Sequence, residues 1–352
     1  MDKKVKIAIT TVQVPFVSGG AEFHARNLRD ALIRNGHEAE IVTIPFIDSP
    51  LHMIENHIMA ARLFDLEYSW AGKIDLCIGL KFPAYFIPHS NKVIWALHQH
   101  RQAYELFNTD FSNLKDNPEG NQYRKVIYNA DNQYLPEAKR IYANSGNVAN
   151  RMLRYNGIEA MPLYHPCPDM DKFYCSGYED YILMPSRINI TKRQMLALEA
   201  MCLTKSNFKL YIVGRADNDY VKDQFLGFIK ERGLQDKVRY FDYVSQEEKF
   251  KLYANAKAVL FIPVDEDYGY ITLEAMAASK PVITALDSGG PLEFVTDDQN
   301  GEVVEPSPDE IARAMDYLIT SKYAAIEMGK ISKKRLDEMD ITWDKVVKEL
   351  TR

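Results

Sequence analysis

Short apolar runs and amphipathic stretches alternate along this chain almost without interruption. The β-rich run "KVKIAITTV" is followed by "AEFHARNLRDALIRNG", whose apolar residues recur at helical spacing, and then by the strand-like "AEIVTIP". A second helical pattern, "LHMIENHIMAARLFDLEYSW", leads to "IDLCIGL". Next come "KVIWALH", a polar stretch near residues 108 to 122, a helix to about Pro136, "RIYANS", another helix and "AMPLYHP". The pattern then restarts, with "YILMPSR", "KLYIVGR", "VRYFDYV", "AVLFIPV" and "PVITALD" separated by helical stretches. Strands that alternate with helices predict parallel sheets wound by right-handed crossovers.

A length of 352 residues is more than one core ordinarily serves, which favours two domains. The break falls at "HPCPDMDKF", residues 165–173, where two prolines interrupt the periodicity. The expected fold class is therefore α/β, with two doubly wound, Rossmann-like domains facing across a cleft. The expected bounds are 1–167 for the first, 168–335 for the second, and 336–352 for a C-terminal helix packing back toward the first. Ligands of such sheets sit beyond the carboxyl ends of the strands, so those ends are the places to look for chemistry.

Composition narrows the class without changing it. Hydrophobic content of 46% and charged content of 26% are ordinary for a globular protein. A net charge of −6 argues against a general nucleic-acid binder. Cys77, Cys167, Cys175 and Cys202 form no C-x-x-C pair and suit reduced thiols. The apolar run at the N-terminus is short for a signal peptide and no segment is long enough to span a bilayer. The expectation is a cytoplasmic protein, or one that is peripheral to the inner face of a membrane.

Three places at strand ends carry residues that chemistry could use. In "VPFVSGGAE", Gly19 and Gly20 precede a helix, where bare backbone and free N–H groups can meet an anion; the competing reading is a turn with a cap. No G-x-G-x-x-G is present, which disfavours a nicotinamide dinucleotide. In "MPSRINITKRQ", Arg187 and Lys192 flank a loop that opens a helix, an arrangement able to hold a diphosphate; a solvated basic loop is the alternative. In "VDEDYGYITLEAMAASKPVIT", Glu274 stands inside an apolar helical run and Glu266 stands eight positions earlier. A buried carboxylate needs donors, and sugar or ribose hydroxyls are suitable ones; an internal salt bridge is the competing account.

With these residues in hand, the chain resembles the retaining glycosyltransferases of the GT-B fold, family four (glycosyl transferases group 1), whose signature is E-x7-E. Glu266 and Glu274 have that spacing, and the GGAE loop, "LHQH", "IYANS", "YHPCPDMDKF", "PSRINITKRQ", "IVGR" and "SGGPLE" fall in the family's order. The resemblance implies that Arg187 and Lys192 hold the donor diphosphate, assisted by amides at Gly19, Gly20 and around Gly269, between Tyr268 and Tyr270. It gives Glu266 to hydroxyls of the donor sugar, Glu274 to the ribose, and His98 to the sugar near the reacting carbon. Gly214, Arg215 and Val244 fall where the base is expected. The second domain would then bind the nucleotide sugar and the first the acceptor.

The same resemblance implies transfer of a hexose-type sugar from a UDP- or GDP-linked donor to a hydroxyl of a glycan or lipid-linked acceptor, in cell-surface polysaccharide or glycoconjugate synthesis. No carboxylate nucleophile is identifiable, so a front-face substitution assembled by domain closure about residues 165–173 is expected. No cofactor and no essential metal are expected: "DED" at 265–267 satisfies D-x-D by accident, and "HQH" at 98–100 would put two imidazoles on one strand face without a third zinc ligand. His24, Arg26, Arg29 and Arg34 on the first helix, with Arg101, could meet anionic head groups, although a solvated helix face accounts for them as well. The alternatives are a phosphorylase or an epimerase on the same fold, or a catalytically silent nucleotide-sugar-binding protein. Residues 108–122 are expected to form an exposed, mobile loop.

Overall fold

The computed structural model describes residues 4–16 and 19–352. The chain forms two compact units, Met1–Pro168 with Thr342–Arg352, and Asp169–Ile341. In chain order the first comprises β1 (Lys6–Gln13), α1 (Gly20–Arg34), β2 (Glu38–Pro45), α2 (His52–Leu63), the two-residue strands β3 (Tyr68–Ser69) and β4 (Gly72–Lys73), β5 (Leu76–Gly79), β6 (Lys92–Ala96), α3 (Gly120–Tyr134), β7 (Arg140–Ala143), α4 (Gly146–Asn156) and β8 (Met161–Pro162). The second comprises β9 (Tyr181–Pro185), α5 (Gln194–Leu203), β10 (Lys209–Val213), α6 (Asp219–Glu231), β11 (Val238–Phe241), α7 (Gln246–Asn255), β12 (Ala258–Leu260), α8 (Tyr270–Ala277), β13 (Val282–Ala285), β14 (Gly301–Val304), α9 (Pro308–Thr320) and α10 (Lys322–Glu338). The last helix, α11 (Trp343–Thr351), belongs to the first unit.

Each unit has a six-stranded parallel sheet, ordered β2-β1-β5-β6-β7-β8 in the first and β11-β10-β9-β12-β13-β14 in the second. β6, β12 and β13 are buried along their whole length, which is why they read as unbroken apolar runs. The helices between them are stopped and started by local chemistry. Ser145, Asn218, Ser245 and Ser307 each accept a hydrogen bond from an amide of the first helical turn, and Gly157 closes α4 at a left-handed φ of 65°.

Several expectations are corrected. The helical pattern of residues 51–70 stops at Leu63, and a β3–β4 hairpin follows. "GEVV" forms the edge strand β14, which its brevity and its glutamate concealed. Residues 336–341 lie in the second unit as the end of α10 and the turn after it, and only α11 joins the first. The polar stretch before α3 is a series of turns pinned by Leu114, which is fully buried. Gly120 is required there, since a Cβ would lie 1.8 Å from the Leu114 carbonyl oxygen.

His24 is buried rather than displayed on a cationic helix face. Its ring centroid lies 4.4 Å from that of Trp95 and 4.3 Å from that of His165. Burial pushes the His24 imidazole well below its usual range and the His165 imidazole down to about 3. α11 closes this side of the first core: Val346, Val347 and Leu350 are buried with residues of β1 and α1, and Tyr142 Oη donates to the Glu349 carbonyl at 3.0 Å.

Candidate active site

The second sheet reverses direction of winding between β9 and β12, and this switch point is where a doubly wound sheet opens a crevice for a ligand. The loop after β9 carries Arg187 and Lys192, and the loop after β12 carries Glu266 and Gly269. Backbone bonds tie the two loops together: Val264 N donates to Thr191 O at 2.8 Å. Gln194, almost wholly buried, donates from Nε2 to Ser186 Oγ at 2.7 Å and to Arg187 O at 2.8 Å. The Asn189 side chain accepts from Lys192 N at 3.0 Å and fixes the turn that presents the lysine.

Lys192 Nζ is ion-paired with Glu266 Oε2, and it stands 5.5 Å from the centroid of the Phe261 ring. The two side chains are 18% and 23% exposed, so the pair is sheltered yet reachable from solvent. A third loop, "SGGPLE", backs the second: Glu266 N donates to Ser288 O and Gly290 N to Glu266 O, both at 2.8 Å. Gly290 passes so close that a Cβ would meet Tyr268 O at 2.6 Å. Gly269 caps α8 with a left-handed φ of 91°, Tyr268 packs under it against Phe294 at 5.5 Å, and Tyr270 begins the helix. The α8 N-terminus and an ammonium thus share one loop cluster.

Glu274 is buried in α8, and its donors come from α7. Lys249 Nζ reaches Oε1 at 2.6 Å and Tyr253 Oη reaches Oε2 at 2.6 Å. Lys249 and Tyr253 are four residues apart and so share a helix face. That spacing in "EEKFKLY" is the sequence signal for the two partners of the buried acid.

Gly214 follows β10 at φ 147°, and a Cβ there would lie 2.3 Å from Ser186 O. The loops after β9 and β10 are therefore in backbone contact, and Ile188 N donates to Arg215 O at 2.9 Å. Arg187 is not buried: its side chain is 70% exposed, with Nη1 3.1 Å from Asp217 Oδ1. Arg215 is exposed beside the Tyr243 ring, and Val244 is half-buried just before α7. Arg193, next to Lys192, forks onto both oxygens of Asp287 at 2.7 and 2.5 Å.

In the first unit Gly19 caps α1 and its amide donates to Glu22 Oε2 at 2.7 Å; Gly20 is the first helical residue. Val17 and Ser18 of the same loop lie outside the described residues. His98 and His100 occupy the loop after β6 rather than a strand face. His98 is half-buried, with Nδ1 2.6 Å from Gln99 O. The His100 ring packs against Phe82 at 5.3 Å, and burial holds its imidazole down at about 4.

Between these histidines, Gln99 Nε2 donates at 2.8 Å to Asp131 Oδ2 of α3. Asp131 is fully buried and also accepts from Tyr85 Oη at 2.9 Å and Tyr104 Oη at 2.5 Å. Burial outweighs these donors and pushes its carboxyl up to about 6. Nothing in "YNADNQY" distinguishes this acid from its polar neighbours, so sequence reading could not find the network.

Residues 175–335 match the family model for glycosyl transferases group 1. Over 98% of this chain and 96% of the relative, the sequence is 26% identical to an uncharacterized glycosyltransferase, MJ1607, of Methanocaldococcus jannaschii. It is also 26% identical, over 66% of this chain and 54% of the relative, to the alpha-1,3/1,6-mannosyltransferase ALG2 of Dictyostelium discoideum. The chain is a glycosyltransferase. Among solved structures, a sucrose-phosphate synthase from Thermosynechococcus elongatus superposes with a TM-score of 0.79, at 16% identity, over 99% of this chain and 98% of that one. HepE of Anabaena, in complex with UDP and glucose, superposes with a TM-score of 0.74, again at 16% identity and over 99% and 98% of the two chains. These likenesses give this glycosyltransferase the GT-B fold. Among its described residues no helix is long and apolar enough to cross a membrane.

Proposed function

We propose that this glycosyltransferase moves a hexose-type sugar, with retention of anomeric configuration, from a nucleoside-diphosphate sugar to a hydroxyl of a glycan or lipid-linked acceptor. The observation that carries the reading is the Lys192–Glu266 pair beside the start of α8, at the switch point of the second sheet. Without ligand, the acid and the ammonium neutralise each other. An arriving diphosphate takes over Lys192, together with the amides at the start of α8 and the reachable guanidinium of Arg187. Glu266 is then left to accept from hydroxyls of the donor sugar.

Glu274 has one protein donor on each carboxylate oxygen, and a carboxylate can accept about four hydrogen bonds. Two acceptor positions therefore remain for ribose hydroxyls. Gly214, Arg215 and Val244 are assigned to the base. His98 belongs to the first unit, and its part near the reacting carbon is proposed from the resemblance alone. In the reaction the bond from the anomeric carbon to the phosphate oxygen breaks and a bond to the acceptor oxygen forms on the same face. The acceptor proton passes to the departing phosphate, whose growing negative charge Lys192 and the helix amides stabilise.

The UDP bound to HepE and the mannosyl activity in the name of ALG2 point to different donors. UDP and GDP sugars are therefore both carried forward. A cytoplasmic setting, peripheral contact with a membrane surface and independence of a catalytic metal are parts of the same proposal. The test is transfer followed by NMR of the first-formed product, reading the one-bond carbon–proton coupling at the anomeric centre, with UDP-glucose and GDP-mannose as donors. An anomeric coupling that matches the donor's supports retention. An inverted anomer, or sugar released only by inorganic phosphate, overturns the assignment.

A further inference from the structure

The second unit carries one group of acids that the donor site does not use. Asp297 and Asp298 stand in the turn before β14 and Glu302 stands on β14, each offering an oxygen such that all lie within 4.8 Å of one another. Exposed acids that cluster need no special account. Glu302 is different: it is 3% exposed, and its Oε1 is buried without a hydrogen-bond partner. Its neighbours Gly301 and Val304 are buried too, so an aliphatic side chain would suit the position without desolvating a charge.

The nearest cation does not answer this requirement. Arg313 Nη1 reaches Glu302 Oε2 only at 4.0 Å; its Nη2 is engaged by Glu310 at 3.0 Å, and its side chain is 58% exposed. Asp297 Oδ1 accepts from Val303 N at 2.8 Å, which anchors the turn to the strand, and Asp298 is held at a left-handed φ of 56°. Three carboxylates converge here, one of them buried with an oxygen that has no hydrogen-bond partner, and among the described residues no lysine or arginine comes closer to Glu302 than Arg313 at 4.0 Å.

We propose that Asp297, Asp298 and Glu302 bind a hard divalent cation of the calcium class. An anionic set made wholly of oxygen favours such ions over zinc or copper, and water would complete the coordination. The group lies where the chain enters β14, at the amino end of the strands, whereas the donor loops follow the carboxyl ends. The cation therefore clamps the 296–302 turn onto the edge strand and takes no part in sugar transfer.

The test is calorimetric titration of the EDTA-stripped, full-length protein with calcium chloride, paired with thermal melting and with no nucleotide present. The expected result is one ion per chain and a melting temperature several degrees higher at a hundredfold excess over the dissociation constant. Glu302→Gln should abolish both signals. Asp298→Asn, at an exposed position where asparagine tolerates the left-handed backbone, should weaken binding at least tenfold and keeps the test valid if the buried variant fails to fold. Absence of heat and of any shift in the wild type overturns the proposal, as does wild-type titration of Asp298→Asn. Loss of binding in Asp267→Asn but not in Asp298→Asn would move the ion to the "DED" stretch and equally overturn it.

Discussion

Lys192 and Glu266 are each about one-fifth exposed, held by three backbone loops, and ion-paired with one another. Replacing Lys192 by alanine removes the charge that meets the leaving diphosphate. The expected cost is a fall of about 10²–10³ in kcat/KM, the scale of losing one preorganised stabilising group, with the melting temperature little changed. Glu274→Gln acts differently, because it leaves the Lys249 ammonium against a neutral amide in a buried helix. Lys249 is partly exposed, so the expected loss is about 1–3 kcal/mol, below that of a fully buried broken pair, and it is read from denaturant unfolding.

Asp131 gives a pH signature at the same scale. Its carboxyl is raised from 3.8 to about 6 in the folded chain, so the folded state holds its proton after the unfolded state has released it. Stability from this group is therefore full below about pH 4, falls as pH rises toward 6, and is level above that, a span of roughly 3 kcal/mol. Asp131→Asn, nearly isosteric and never ionised, should flatten that slope in unfolding measured from pH 4 to 7. An unchanged slope would place the titration elsewhere.

At the scale of elements, the alternation of strand and helix was legible because parallel strands covered on both faces read as plain apolar runs, as β6, β12 and β13 do. What could not be read was tertiary. β14 is four residues with a glutamate inside; α2 ends at Leu63 because the chain turns into a hairpin, and no glycine or proline marks that end. Gly214 shows the converse, a residue whose neighbour, the Ser186 carbonyl, is distant in sequence. Gly214→Ala sets a Cβ 2.3 Å from that oxygen, and the strain should cost about 2–4 kcal/mol and displace the loop that bears Arg187. Thermal melting together with nucleotide affinity measures both effects.

For the molecule as a whole, the chain returns to its first unit through α11, which buries Val346, Val347 and Leu350. Three buried aliphatic side chains contribute roughly 5–9 kcal/mol, comparable to the whole stability of an ordinary domain. A chain ending at Ile341 should therefore melt at least about 10 °C lower or fail to stay soluble, as checked by calorimetry. The candidate donor site was legible in outline: the sequence placed Arg187, Lys192, Glu266 and Gly269 at strand ends, and the second sheet brings Lys192, Glu266 and Gly269 to one loop cluster. Glu274 was legible as buried but not by its partners, because Lys249 and Tyr253 lie on another helix.

The central claim is that this cluster binds a nucleoside diphosphate. Thermal melting in the presence of UDP, GDP, ADP, CMP and dTDP, with and without EDTA, on wild type, Lys192→Ala and Arg187→Ala, tests it most directly. A ligand at a hundred times its dissociation constant stabilises by about 2.7 kcal/mol, a shift of several degrees for a unit of this size. The account predicts such a shift from one diphosphate, of the same size with and without EDTA and lost in both variants. No shift from any nucleotide, or an equal shift in Lys192→Ala, would contradict it.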